Sequence, residues 1–133
     1  MEIRPKGYCI DSDILIDYLR GVENARNFLM STAEKSNLSI SVISIVELYA
    51  GKETKDEDKR KRVDEFLQSF ILIGMDGSLA RTAGKLRRDY EKPFADMIIA
   101  ATALEYNLCL VTRNIKHFEV LSKKSRLQLI KPY

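Results

Sequence analysis

Asp11, Glu47 and Asp96 stand where a carboxylate is out of keeping with its neighbours. Asp11 closes the apolar run Gly7-Tyr8-Cys9-Ile10, Glu47 lies inside Ile43-Ser44-Ile45-Val46-Glu47-Leu48-Tyr49, and Asp96 heads Met97-Ile98-Ile99-Ala100-Ala101. A carboxylate set into an apolar stretch is costly unless it is paired or holds a cation. Three of them, each where an apolar run meets a polar turn, point to one polyvalent metal site assembled by the fold. Oxygen-only donors favour magnesium or manganese over zinc or copper. A cation held this way lowers the pKa of its water and neutralises charge on a phosphoryl group under attack. Two such ions, about 3.5–4 Å apart, clamp the attacking and leaving oxygens of an in-line displacement. The competing reading makes each acid a helix cap or an ion-pair partner. It suits Asp11 and Asp96, at helix starts where N–H groups favour a carboxylate. It suits Glu47 poorly, because Glu47 falls within an apolar helical run.

The elements that must position these acids alternate along the chain. Strand-like runs cover Tyr8 to Asp11, Leu38 to Ser41, Phe70 to Ile73, Leu108 to Thr112 and Leu127 to Ile130. Helical stripes lie between them: Val22, Ala25, Leu29 and Ala33; Val63, Phe66, Leu67 and Phe70; Leu79, Ala83, Leu86 and Tyr90. These stripes read as core faces. The mixed-charge run Glu53 to Arg62 reads as the solvated start of a helix. Strands separated by helices predict βαβ units and a mostly parallel sheet covered on both sides. In such sheets ligands bind beyond the carboxyl ends of the strands, near the point where strand order reverses. Asp11 ends the first strand, Glu47 lies on the helix after the second, and Asp96 begins the helix leading into the fourth. All three can reach one end of the sheet.

Composition narrows the class. The 133 residues, 45% hydrophobic and 31% charged, suit a single globular domain spanning 1–133 and argue against disorder. No apolar run approaches the roughly 20 residues needed to cross a bilayer. Met1-Glu2-Ile3-Arg4-Pro5-Lys6 lacks a signal-peptide core, so a cytoplasmic address and no membrane partner are expected. Cys9 and Cys109 lie in strand-like runs without a CxxC pattern, and read as buried, reduced thiols rather than zinc ligands. The net charge of +3 is small, but from Arg113 to Arg126 the basic residues Arg113, Lys116, Lys123, Lys124 and Arg126 face only Glu119. Such a patch suits phosphates, which bind it through sequence-independent electrostatics.

Four segments together resemble a known family. Cys9-Ile10-Asp11-Ser12-Asp13-Ile14-Leu15-Ile16-Asp17-Tyr18-Leu19-Arg20-Gly21 is similar to the opening motif of PIN domains, and within them of the VapC-like toxin ribonucleases. Ile40-Ser41-Val42-Ile43-Ser44-Ile45-Val46-Glu47-Leu48-Tyr49-Ala50-Gly51 resembles the segment carrying that family's glutamate. Phe94-Ala95-Asp96-Met97-Ile98-Ile99-Ala100-Ala101-Thr102-Ala103 resembles its third acidic motif, and Leu110-Val111-Thr112-Arg113-Asn114-Ile115-Lys116-His117-Phe118 its last. The order and spacing agree over nearly the whole chain.

The resemblance implies a three-layer α/β/α PIN-like fold around a mostly parallel sheet of four to five strands. It implies a Mg2+- or Mn2+-dependent endonuclease that hydrolyses RNA phosphodiesters as the toxin of a toxin–antitoxin pair. Asp11, Glu47 and Asp96 would be catalytic metal ligands, with Asp13, Thr112 and Asn114 in support and Arg113 and Lys116 on the substrate. Its implied partners are RNA, a cognate antitoxin lying across the active site, and a second copy in a homodimer. Many relatives carry a fourth acid in the last motif, where this chain has Asn114 and His117. Two alternatives stand beside this reading. One is a PIN scaffold that binds RNA or protein without cutting. The other is a haloacid dehalogenase-like phosphatase, with Asp11 as nucleophile and Asp13 as acid/base, which leaves Glu47 unexplained.

Overall fold

The computed structural model describes residues 6–133. The leading segment, read above as lacking a signal-peptide core, lies outside them save for Lys6. Five strands form one sheet: β1 (Tyr8–Ile10), β2 (Leu38–Ser41), β3 (Ile71–Ile73), β4 (Cys109–Val111) and β5 (Gln128–Ile130). Their spatial order is β3-β2-β1-β4-β5, and every pairing is parallel. Seven α-helices connect and cover them: α1 (Ser12–Leu19), α2 (Glu23–Ala33), α3 (Val42–Tyr49), α4 (Glu57–Leu67), α5 (Gly77–Tyr90), α6 (Phe94–Glu105) and α7 (Ile115–Lys124). The expected α/β architecture is therefore present with all five strands. Among the described residues, no helix is long and apolar enough to cross a membrane.

Alternation along the strands divides the core in two. Ile10, Leu38, Ile40 and Val111 pack with Ile14, Leu15, Leu29, Leu48 and Val63 on one face. Cys9 and Leu110 pack with Leu79, Met97, Phe118 and Leu121 on the other. Successive side chains of a strand point to opposite faces, so a central parallel strand must be apolar on both. Cys9 is fully buried, and burial, helped by the Asp11 charge, pushes its thiol up to about 12. Both cysteines are free and buried, as expected of inert thiols. The edge behaves differently. In β3 only Ile73 is buried, while Ile71 and Leu72 are exposed, so coverage on both sides fails at this edge strand.

Local signals explain where the elements stop. The mixed-charge run does not begin one continuous helix at Glu53. Lys52–Lys55 forms a 3-10 turn, and Asp56 then caps α4 by accepting from the Lys59 N–H. An aspartate with extended backbone at that position satisfies an orphan amide of the first turn and restarts the helix. At the end of α1, Gly21 adopts φ +84, the Gly21 N–H donates to the Tyr18 carbonyl, and the Val22 N–H donates to the Asp17 carbonyl. That pair of bonds is a Schellman closure, which requires a left-handed residue. By contrast Gly84 sits inside α5, and an added Cβ would meet nothing within 4 Å.

The same replacement should therefore have opposite signs at the two glycines. Gly21→Ala is expected to lower unfolding free energy by about 1–2 kcal/mol through left-handed strain. Gly84→Ala is expected to raise it by about 0.5–1 kcal/mol through helix propensity. Urea denaturation of the two variants checks both, and shifts of the same sign would contradict the assignment.

Candidate functional site

Strand order reverses between β1 and β4, and the two motif residues that follow these strands meet there. The ladder continues one step beyond the strands, with the Asp11 N–H donating to the Val111 carbonyl at 2.9 Å. Thr112, fully buried, then donates its hydroxyl to Asp11 Oδ2 at 2.7 Å. The direction of that hydroxyl is fixed from the other side. The Asn114 N–H donates to Thr112 Oγ1 at 2.9 Å, so the Thr-Arg-Asn segment forms a side-chain turn that leaves the threonine proton for the carboxylate. The second oxygen of Asp11 accepts from the Ser12 N–H at 2.8 Å. Asp11 is thus the N-cap of α1, as the capping reading proposed.

Capping does not offset its burial. Asp11 is 5% exposed. Burial, and next the Asp13 charge, push its carboxyl from the ordinary 3.8 up to about 7, against the bonds from Thr112 and Ser12; the Asp96 charge adds in the same direction. The gap corresponds to roughly 4 kcal/mol against the charged form. Asp13 is also raised, first by burial and further by Asp17, although the Arg113 N–H bond opposes this. Asp13 Oδ2 accepts that N–H at 2.9 Å, whereas Oδ1 is buried and has no hydrogen-bond partner. An ionised carboxylate oxygen without a donor in a buried site is a strong acceptor left unused.

Asp96 lies in the first turn of α6, a helix buried on nearly every side through Met97, Ile99, Ala100, Ala101, Thr102 and Ala103. Its Oδ2 is 2.7 Å from His117 Nδ1 on α7. A carboxylate only accepts, so the histidine is held with a proton on Nδ1. Glu47, on α3, reaches the group indirectly. Ser12 Oγ donates to Glu47 Oε1 at 2.7 Å and is 2.8 Å from Ser44 Oγ. Ser12 has one hydroxyl proton, which the carboxylate takes, leaving Ser44 as donor to Ser12. Glu47 also lines a cavity of about 260 Å³ with an apolar floor that includes Ile16, Leu19 and Val63 and a rim that includes Arg20, Lys59 and Arg62.

The sequence-predicted residues thus fall into two groups. Asp11, Asp13, Asp96 and Thr112 converge at the sheet end, and Glu47 joins them through Ser12. Among the described residues, no three His, Cys, Asp or Glu side chains stand close enough to hold a metal ion between them. The donor chemistry nonetheless fits a hard cation: oxygen ligands, a crowded acidic group and a buried carboxylate oxygen without a partner. Asn114, which bonds Thr112, and Lys116 are exposed. Arg113 is half-exposed, with its guanidinium NH1 on Asp17 Oδ2 at 2.8 Å. Sequence reasoning missed the Ser12 relay, the His117 contact and the role of Asp17. The signal for Asp17 was available, since it lies four residues after Asp13 on one helix face.

The fold and sequence are shared with known proteins. The PIN-domain family model matches residues 8–124. The chain is 38% identical over 119 residues to the ribonuclease VapC10 of Mycobacterium tuberculosis, covering 86% of this chain and 87% of that protein. It is 29% identical over 120 residues to the ribonuclease VapC2 of Rickettsia felis, covering 84% and 90%. Among solved structures, a toxin–antitoxin complex from Klebsiella pneumoniae superposes with a TM-score of 0.80 at 29% identity, covering 95% of this chain and 98% of that one. VapBC2 from Rickettsia felis, bound to a DNA fragment from its promoter, superposes with a TM-score of 0.78 at 28% identity, covering 92% and 96%.

The raised Asp11 pKa has a measurable consequence. The folded chain holds this proton more tightly than the unfolded chain, so the contribution of Asp11 is fully present below about pH 4 and is lost as pH rises to about 7. In chelator, wild type should lose stability relative to Asp11→Asn across that window, by up to about 4 kcal/mol. Adding Mg2+ or Mn2+ at pH 7.5 should recover stability in wild type only. A pH-independent difference between the two proteins in chemical denaturation would refute the desolvated carboxylate.

Proposed function

The chain belongs to the PIN-domain family, and from that premise we propose that it is a metal-dependent endoribonuclease of the VapC type, the toxin of a toxin–antitoxin pair, with residues 1–133 as one PIN-like domain. The observation that carries the chemistry is the Asp11 carboxylate, buried at the β1/β4 switch beside Asp13 and Asp96 with its charge uncompensated. Asp11, Glu47 and Asp96 would hold the Mg2+ or Mn2+ ion. When bound, that ion supplies an acidified water and charge neutralisation at the phosphoryl group.

The chain's own residues set the geometry of the reaction. Thr112 and the Ser12 N–H fix both oxygens of Asp11, so the carboxylate cannot rotate. His117 holds Asp96 from outside, and Ser12 holds Glu47. Water adds to phosphorus as the bond to the leaving ribose oxygen breaks, and that oxygen takes a proton. Lys116, with Lys123, Lys124 and Arg126, offers exposed positive charge to the RNA backbone. Asn114 adds an amide oxygen but no charge, which leaves a second ion dependent on substrate phosphates. Manganese, more tolerant of an incomplete shell than magnesium, should then support faster cleavage at equal low concentration.

An antitoxin is the partner that the relatives support, and the cavity beside Glu47, lined by Ile16, Leu19 and Val63 together with charged residues of both signs, suits a protein segment that carries apolar and charged side chains. A second copy of the chain completes the proposed assembly. The phosphatase alternative is set aside, since the family match leaves no role for an aspartyl-phosphate. The non-cleaving scaffold stays in play because the acids are not drawn into one ligand set.

Cleavage of total RNA with added Mn2+ or Mg2+ separates the two. Wild type should cut and stop on chelation. Asp96→Asn, which keeps the shape and the bond to His117, should be slower by at least about 100-fold. Wild type that binds RNA yet leaves it intact in both metals identifies the scaffold.

A further inference from the structure

Two consecutive residues after β4 address three acids of the first motif. Thr112 bonds Asp11 through its hydroxyl, and Arg113 bonds Asp13 through its backbone N–H and Asp17 through its guanidinium. Asp13 and Asp17 lie one turn apart on α1, so the turn is laced along a single helix face. Tyr133 closes the arrangement from the far side. Its hydroxyl donates to the same Asp17 oxygen at 2.7 Å, and the Arg113 guanidinium sits 5.7 Å from the centre of its ring. Burial, then the bond to Asp17, push the Tyr133 phenol up, so it remains the donor.

We propose that Arg113 is a positioning residue, not an RNA contact: with Asp17 and Tyr133 it forms a latch that fixes the turn after β4, so that its own N–H holds Asp13 against the catalytic acids. The proposal rests on the ribonuclease reading and assigns a task within it. The Arg113 side chain is half-exposed, but its NH1 is committed to Asp17, whose side chain is only 13% exposed, so the cation is anchored at that carboxylate. A buried carboxylate that loses its cation is strongly disfavoured. The Arg113 guanidinium and the Tyr133 hydroxyl each give one donor to the same Asp17 oxygen, and the guanidinium also lies within cation–π range of the Tyr133 ring, a combination of reach and spread charge that a compact lysine ammonium reproduces poorly. The partnerless Asp13 Oδ1 is then a consequence of the latch, since one oxygen is held by the turn and the other is kept bare beside Asp11.

The test uses Arg113→Lys and Tyr133→Phe in the full chain, with wild type and Asp96→Asn as references. The Arg113 amide reports directly on the bond to Asp13, and its hydrogen exchange should speed up about tenfold in Arg113→Lys and less in Tyr133→Phe. With a labelled oligonucleotide spanning the wild-type cleavage site, kcat should fall about tenfold or more in Arg113→Lys and about threefold in Tyr133→Phe, with KM unchanged. RNA affinity in chelator, and its dependence on salt, should match wild type. A raised KM in Arg113→Ala with a salt slope smaller by about one would make Arg113 a phosphate contact and overturn the latch. Faster amide exchange with unchanged kcat would reduce it to a structural staple and overturn it equally. If wild type does not cut RNA at all, the functional reading fails, while amide exchange still decides whether the latch holds Asp13.

Discussion

A carboxylate buried at the junction of two parallel strands is the constraint on which the rest of this molecule depends. Asp11 follows β1 at the point where the sheet changes direction, and a five-stranded sheet of order β3-β2-β1-β4-β5 offers that crevice once. Keeping the group there requires donors that do not move. The sheet supplies them: the β1/β4 pairing sets Thr112 opposite Asp11, and the Asn114 N–H turns the threonine hydroxyl toward it. Neither bond cancels the burial, since the carboxyl stays near 7. A site optimised for stability alone would use an asparagine at this position. Retaining the acid costs folding free energy, as functional sites commonly do, and the proposed cation site gives that cost a purpose.

Helix capping and metal binding are usually weighed as rivals for an acid at a helix start. In Asp11 the two are compatible, because the cap uses Oδ1 while Oδ2 accepts from Thr112. The two bonds together fix the rotation of the carboxylate. Asp96 behaves differently. Pro93, not Asp96, is the N-cap of α6, and the Asp96 side chain reaches out to His117. His117, one of the two positions at which the family resemblance leads one to look for a fourth acid, thus orients an acid that is already present.

What was legible in the sequence follows the range of the forces involved. The strands were readable because each is a short apolar run between turns, and Asp11, Glu47 and Asp96 because a charge among apolar neighbours needs a reason. The four ordered motifs placed the family. The exposed edge of β3 was not legible, because Ile71 and Leu72 look no different in sequence from a central strand's residues. The break between Lys55 and Glu57 was hidden for a similar reason, since a charged run says little about backbone until Asp56 is seen as a cap. Contacts across the chain were the least accessible. Asp17 and Tyr133 are 116 residues apart, and nothing local to either marks the other. Arg113 was read as a substrate contact for its charge, whereas its partner is set by tertiary packing.

The relay from Ser12 to Glu47 bears on how the site responds when a cation enters. Asp13 and Asp96 already repel Asp11. Glu47 stands apart, its hydrogen bond spent on a hydroxyl from the α1 turn that Asp11 caps. A fourth negative charge pressed into the group would raise the cost of the cation-free state further. Tethering Glu47 through Ser12 keeps it near while a neutral dipole stands between it and the other acids. Because Ser44 backs Ser12 from α3 itself, the tether joins two of the three helices that carry the acids rather than two loops. On the proposed reading a divalent ion would supply the attraction that draws Glu47 in, at the expense of a single Ser12 hydroxyl contact. A separated Glu47 spares the folded chain the repulsion that a preassembled four-acid cluster would carry.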